Sequence, residues 1–300
     1  MTGGERMEWC GAILWKASVW REPRPAESSD PFAASFICTG KHNLLITLTF
    51  LGTGTSTGIP VIGCDCDVCR SPDPRDNRLR ASVLVQVDRS NLLFDTSPDL
   101  REQMLRVDLR HIDAVLYTHA HADHTAGIDE LRRYNIMQEM RIPVWATAAT
   151  GEDLTTRFGY AFSRAFSFFG GKPDLDLNVV TGPFLINGIR ITPIPIQHGT
   201  LPIIGYRIGN FAYVTDAKSI PTSSVEILQG LDTLVITALR MSEHPAHMSL
   251  GEALEAIDAI QPRRAFLSHL GHEMGRHSTV ESELPDHVQI ATDRLVVEIP

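Results

Sequence analysis

The chain has 300 residues, 43% of them hydrophobic and 21% charged, a globular composition that excludes collagen-like, disordered and disulfide-scaffold classes. With 27 basic against 36 acidic residues it carries a formal net charge of −9, so the broad basic footprint of a nucleic-acid binder is missing. No apolar run approaches the roughly 18 residues of a membrane span, and Lys16 interrupts the stretch 11–15 before it could serve as a signal-peptide core. The expectation is a cytoplasmic protein with no membrane partner.

Residues 1–43 hold three of the four tryptophans and lack sustained periodicity; with the Pro- and charge-rich run 21–30 they predict a poorly ordered N-terminal extension ahead of a single domain at 44–300. Strand-like runs follow at 44–51, 82–87, 92–95 and 113–117. Helix starts are signalled by Ser97-Pro98 and by capping-box spacings at Ser223 with Glu226 and Ser249 with Glu252. Past the turn Asn187-Gly188, further strands are expected at 189–196, 203–208, 211–215, 233–237, 265–268 and 295–299. Such a mixture predicts an α/β protein in which two sheets are covered by helices.

Chemistry concentrates in Thr118-His119-Ala120-His121-Ala122-Asp123-His124, directly after the apolar run 114–117. Side chains two apart at a strand exit project to one side, so His119 and His121 can share one ion while the next turn aims Asp123 and His124 at a second. Downstream, His198, Asp216 and His269 each end an apolar strand. Strand ends of a layered fold converge on one rim. A second cluster, Cys64, Cys66 and Cys69, offers three thiolates, one short of a closed structural zinc site; His272, three residues past His269, can supply the fourth ligand.

These motifs resemble the metallo-β-lactamase superfamily, whose binuclear members carry His-X-His-X-Asp-His, a His, a bridging Asp and a last His in this order. The resemblance implies the αββα sandwich, two mixed sheets flanked by helices. It also implies that one ion takes His119, His121 and His198, that the other takes Asp123, His124 and His269, and that Asp216 bridges them. Leu51-Gly52-Thr53-Gly54-Thr55, the cysteines, and His269 with His272 sharpen the likeness to the PhnP-type phosphoribosyl cyclic phosphate phosphodiesterases. That family implies a catalytic histidine upstream of the last ligand, which His247 fits; Asp123 is the other catalytic candidate. The cofactors implied are two active-site divalent ions, zinc or manganese, and one structural zinc.

By formal counting, two divalent cations, two aspartates and a bridging hydroxide sum to about +1, which suits a monoanionic phosphodiester better than a lactam. The expected function is hydrolysis of a small cyclic phosphate or a nucleotide. Rival readings are a tRNA 3′-end processing endonuclease, a glyoxalase-II-type thioesterase, and a non-catalytic metal-binding protein. No Gly- and Lys-rich tRNA-gripping insertion is evident, nucleic acid is disfavoured as a partner, and a homodimer is left open. Arg78 or Arg80 could hold a substrate phosphate, although arginine outnumbers lysine 23 to 4 throughout the chain. The segment 147–183, with Phe158, Tyr160, Phe162, Phe166, Phe168 and Phe169, is expected to pack as a helix and lid; His244 and His277 are read as ordinary exposed histidines.

Overall fold

The computed structural model describes residues 45–165 and 171–300. The predicted extension at 1–43 and the rings of Phe166, Phe168 and Phe169 lie outside the described residues. The first half of the chain lays down β1 (Ile46–Gly52), β2 (Ser82–Val87), β3 (Ser90–Phe94), β4 (Ala114–Leu116), β5 (Ile142–Ala146) and β6 (Leu175–Val179). The second half lays down β7 (Phe184–Ile186), β8 (Ile189–His198), β9 (Leu201–Ile208), β10 (Phe211–Val214), β11 (Thr233–Thr237), β12 (Arg264–Ser268) and β13 (Val288–Ile290). The last strand, β14 (Val296–Ile299), returns to pair antiparallel with β1. Among the described residues two seven-stranded mixed sheets result, ordered β14-β1-β2-β3-β4-β5-β6 and β13-β12-β11-β10-β9-β8-β7.

Burial explains the layering. Alternate residues of β1 and β2, such as Ile46, Leu48, Val83 and Val85, meet Tyr206, Phe211, Tyr213 and Phe266 of the other sheet in a shared core. The outer face of the first sheet is covered by α1 (Leu100–Val107), α3 (Leu131–Gln138), α4 (Ala148–Arg157) and α5 (Gly159–Phe162), with α2 (Ala122–Thr125) a single turn between them. α6 (Thr222–Ile227), α7 (Leu250–Ile260) and α8 (His277–Glu281) cover the second sheet. This is the predicted αββα sandwich.

Helix starts differ from the sequence reading in two of three cases. Ser249 and Glu252 form the predicted reciprocal capping box on α7. Ser223 lies inside α6 instead, because the turn begins one residue earlier, after Pro221. Ser97 does not cap α1, which starts at Leu100 behind Asp99; its hydroxyl accepts from the Asp99 amide and donates to Gln103.

Candidate metal centre

Every residue of the histidine-rich motif follows β4, and the other candidates stand at the ends of β8, β10 and β12. The structure brings together His119, His121 and His198 in one group, and Asp123, His124, Asp216 and His269 in another; within each, one ligand atom per residue lies within 4.8 Å of all the others. The groups adjoin, with His119 and His124 ring centroids 4.3 Å apart. Asp216 connects them: its Oδ1 is 3.2 Å from His124 Nε2, and its Oδ2 is 3.2 Å from His269 Nε2 and 3.9 Å from His119 Nε2.

The other ring nitrogens show how the histidines are aimed. His124 Nδ1 donates to Asp95 Oδ2 at 2.7 Å, and His198 Nδ1 donates to the Ala246 carbonyl at 2.7 Å. Thr118 Oγ1 donates to Asp95 Oδ2 and so accepts from His119 Nδ1 at 3.0 Å. Each bond fixes a tautomer with Nε2 free for a ligand. Asp95 thereby orients one histidine of each group, directly or through Thr118. It escaped the sequence reading, although it too directly follows an apolar strand.

Charge sharpens the picture. Burial opposes ionisation of Asp216, but His269, His124 and His119 outweigh it and hold the carboxyl well below its usual range. Asp123 is lowered in the same way, burial being overcome by His124 and His269. Burial, then the like charge of His124, drives His119 well below an ordinary histidine. The Nε2 atoms of His119, His124 and His269 are buried without a hydrogen-bond partner. Such orphaned nitrogens are costly unless a cation receives their lone pairs, so the donor set fits divalent metal ions.

His247 lies at the edge of this cluster, its ring centroid 4.4 Å from that of His198 and its Nδ1 3.7 Å from Asp216 Oδ2. Burial pushes it down to about 3. His244, read from sequence as exposed, is half-buried with its ring 5.1 Å from that of His247, because the loop 244–248 folds back over the site.

The cysteine loop reaches His272 across the fold. Backbone bonds from Thr55 N to Leu270 O and from Leu270 N to Thr53 O lash the end of β1 to the segment after β12. Cys64, Cys66 and Cys69 Sγ then lie 3.3, 3.3 and 3.6 Å from His272 Nδ1. A tetrahedral zinc with three thiolates and one imidazole has N···S edges of about 3.5 Å, so this geometry fits the metal. The Cys69 amide, donating to Cys66 Sγ, is the main influence lowering that thiol to about 6; burial raises Cys69 to about 11.

Three other sequence expectations are corrected. Arg78 is no phosphate ligand: it is 4% exposed and donates to Thr53 Oγ1, the Ala291 carbonyl and His277 Nδ1. His277 is accordingly buried, its amide bonded to Asp76. Arg80 is held by Asp99 at 2.9 Å and by the Ser56 carbonyl. Of the aromatic segment, the described rings Phe158, Tyr160 and Phe162 pack on the outer core of the first sheet and form no lid. Among the described residues of that segment, α4 faces the ligands: Thr150, Asp153 and Arg157 line a cavity of about 260 Å³ with His119 and His121.

Residues 90–270 match the beta-lactamase superfamily domain family. Among solved structures, a diphosphatase of the PhnP family is 39% identical with a TM-score of 0.80, the match covering 85% of this chain and 98% of that one. Zinc-bound PqqB from Methylobacterium extorquens, 18% identical with a TM-score of 0.68 over 84% of this chain and 100% of its own, shares the fold. An octanoyltransferase of Porphyromonas gingivalis is 38% identical over 249 residues, which are 82% of this chain and 50% of that protein. The chain thus spans about half the length of that curated relative. Matched by the domain family over more than half its length and by the diphosphatase over nearly all of that enzyme, the chain belongs to the metallo-β-lactamase superfamily and, within it, to the PhnP family.

Proposed function

We propose that the chain is a metal-dependent phosphodiesterase acting on a small phosphodiester, such as 5-phosphoribosyl 1,2-cyclic phosphate or a nucleotide. The observation that carries this reading is the Asp216 carboxylate, which presents its two oxygens to the ring nitrogens of both ligand groups. In this reading His119, His121 and His198 hold one divalent ion, Asp123, His124 and His269 hold the other, and Asp216 serves both. The pair of ions, zinc or manganese, would supply Lewis-acid stabilisation of phosphoryl oxygens and a water acidified to near neutrality. Cys64, Cys66, Cys69 and His272 would hold a third, structural zinc.

The chain's own residues set the rest of the chemistry. Asp95 and the Ala246 carbonyl lock the histidine tautomers, so the donors need no rearrangement when substrate enters. His247 overlooks the cluster from the loop before α7, where the N–H of its neutral ring can hydrogen-bond the charge developing on the leaving oxygen. The product is a phosphomonoester. Steady-state assays on bis-p-nitrophenyl phosphate and ribose cyclic phosphates, set against precursor tRNA and S-lactoylglutathione, test the assignment. Turnover of the phosphodiesters alone is expected; failure on all of them overturns it.

The likeness to a diphosphatase supports a second reading, cleavage of a phosphoanhydride at the same ligands. A nucleoside diphosphate placed in the same assay separates the two. The acyl transfer in the Porphyromonas protein's name belongs to a longer protein, half of which lies outside the match.

A further inference from the structure

Between Glu243 and Met248 the chain passes over the ligand groups with little backbone support. The Arg240 guanidinium donates to the Ser242 and Glu243 carbonyls on one side, and on the other the Met248 amide donates to the Ala217 carbonyl. Among the described residues, Ala246 is the only member of the run 244–247 whose backbone is hydrogen-bonded, and it is held from both directions. Its carbonyl accepts from His198 Nδ1 at 2.7 Å, and its amide donates to His244 Nδ1 at 3.2 Å. Against it lies Gly199, at a φ of 60°, where a Cβ would touch that of Ala246 at 3.4 Å.

A backbone N–H can only donate, so this bond holds His244 as a neutral imidazole with its proton on Nε2. The ring it closes is that of an Asx turn, in which an aspartate or asparagine oxygen accepts from the amide two residues on. Pro245, between the two, has no N–H of its own to offer a backbone partner. The consequence reaches the ligands. A freed Ala246 would leave His198 without the carbonyl that fixes its tautomer. It would also let His247, the next residue, drift from Asp216, whose Oδ2 lies 3.7 Å from its Nδ1.

We infer that His244 is a positioning residue for the metal centre, holding the Ala246 backbone so that His198 and His247 keep their places. The inference rests on the proposed assignment of His198 as a ligand and not on the identity of the substrate. A side chain that merely filled space in the loop would be replaced equally well by any other of similar bulk. One that holds Ala246 needs an acceptor where Nδ1 stands. Asparagine supplies it, since its Oδ1 occupies the same branch of the side chain; leucine has the bulk without the acceptor, and glutamine carries its oxygen one methylene too far.

The test compares the full-length, zinc-loaded wild type with His244→Asn, His244→Leu and His244→Gln. Active-site zinc is withdrawn with a graded chelator and followed by elemental analysis, and kcat and KM are measured on bis-p-nitrophenyl phosphate. His244 stands one hydrogen bond beyond the carbonyl that orients a ligand, so the lower end of the usual cost of an outer partner applies: His244→Leu and His244→Gln should hold active-site zinc about tenfold more weakly and lose kcat, while His244→Asn stays within about threefold of wild type. Zinc at the cysteine site should be unchanged in all three. A leucine variant that keeps its zinc and its turnover overturns the inference, and so does an asparagine variant as impaired as leucine. If His244→Leu fails to fold, asparagine against glutamine decides on the same terms. A wild type without turnover overturns the phosphodiesterase reading and leaves zinc retention to decide; a wild type that holds no active-site zinc overturns the ligand assignment, and this inference with it.

Discussion

Asp95 shows how one side chain can organise a site without being one of its proposed ligands. It is fully buried, accepts from Thr118 N, Thr118 Oγ1 and His124 Nδ1, and reaches His119 through Thr118. Losing such an outer partner typically costs 10–100-fold in metal affinity or activity. Asp95→Ala should therefore weaken active-site metal retention by about that factor, read by elemental analysis after dialysis against a graded chelator, while the cysteine site stays loaded. His247 predicts the opposite separation: His247→Ala should keep its metals and lose turnover by ~10²–10³, as for loss of a hydrogen-bond donor to developing charge. Unchanged turnover would remove His247 from the chemistry. The proposed ligand residues were visible in the sequence because each follows an apolar strand and the histidines crowd together. Asp95 obeys the same rule but stands alone beside a serine and a threonine, and Arg157 carries no local signal at all, because its partners are contributed by the loop 120–125.

Elements with strong local signals were the legible ones. The run 233–237 coincides with β11 and 82–87 with β2, where continuous apolar or β-branched residues leave little choice. β7 and β13 have three residues each, too few for any period to emerge, and their pairing is settled by neighbouring strands. Capping boxes behave likewise. The Ser249–Glu252 box forms because Ser249 has extended backbone at a true helix start, whereas Pro221 moves the start of α6 upstream of Ser223. Ser249→Ala should destabilise the fold by ~1 kcal/mol in denaturant unfolding. The cysteine loop is held at its base by backbone bonds and at its tip by the four-ligand cluster. Elemental analysis should find about three metals per chain, falling by one in Cys66→Ser with a loss of stability; two metals in both proteins would refute the structural zinc.

At the scale of the molecule, layers and topology were legible as a class, because two sheets with apolar faces must be buried on each other and on helices. The balance of charge inside that body was not. Arg78 read as a candidate substrate contact, yet it is buried beside Asp293, Asp76 and His277, where desolvation lowers it to about 10 against the pull of Asp293 and Asp76. Removing one member of a buried charged network typically costs ~3–5 kcal/mol, so Arg78→Ala should be among the most destabilising single changes, read as a shift in denaturant midpoint. Chelation should act on the whole body too. Metals that bind only the folded state at a thousand times their dissociation constant add about 4 kcal/mol, so stripping them should lower Tm by on the order of 10 °C. Among the described residues no helix is long and apolar enough to cross a membrane.

The backbone at the strand ends adds one more consequence. Asp95, Asp216 and His269 adopt left-handed φ values of 61°, 60° and 58°. Non-glycine residues resist that conformation, at a cost of order 1–3 kcal/mol each when it is sparsely populated. Aspartate and asparagine tolerate it best among non-glycine residues, so Asp95 and Asp216 meet the turn at the lower end of that cost. Because the neighbouring histidines hold the Asp216 carboxylate ionised in the metal-free fold, Asp216→Asn should lower the melting temperature of the chelated protein as well as that of the metal-supplied one, read in parallel thermal melts. The same carboxylate thus serves the durability of the fold as well as its chemistry.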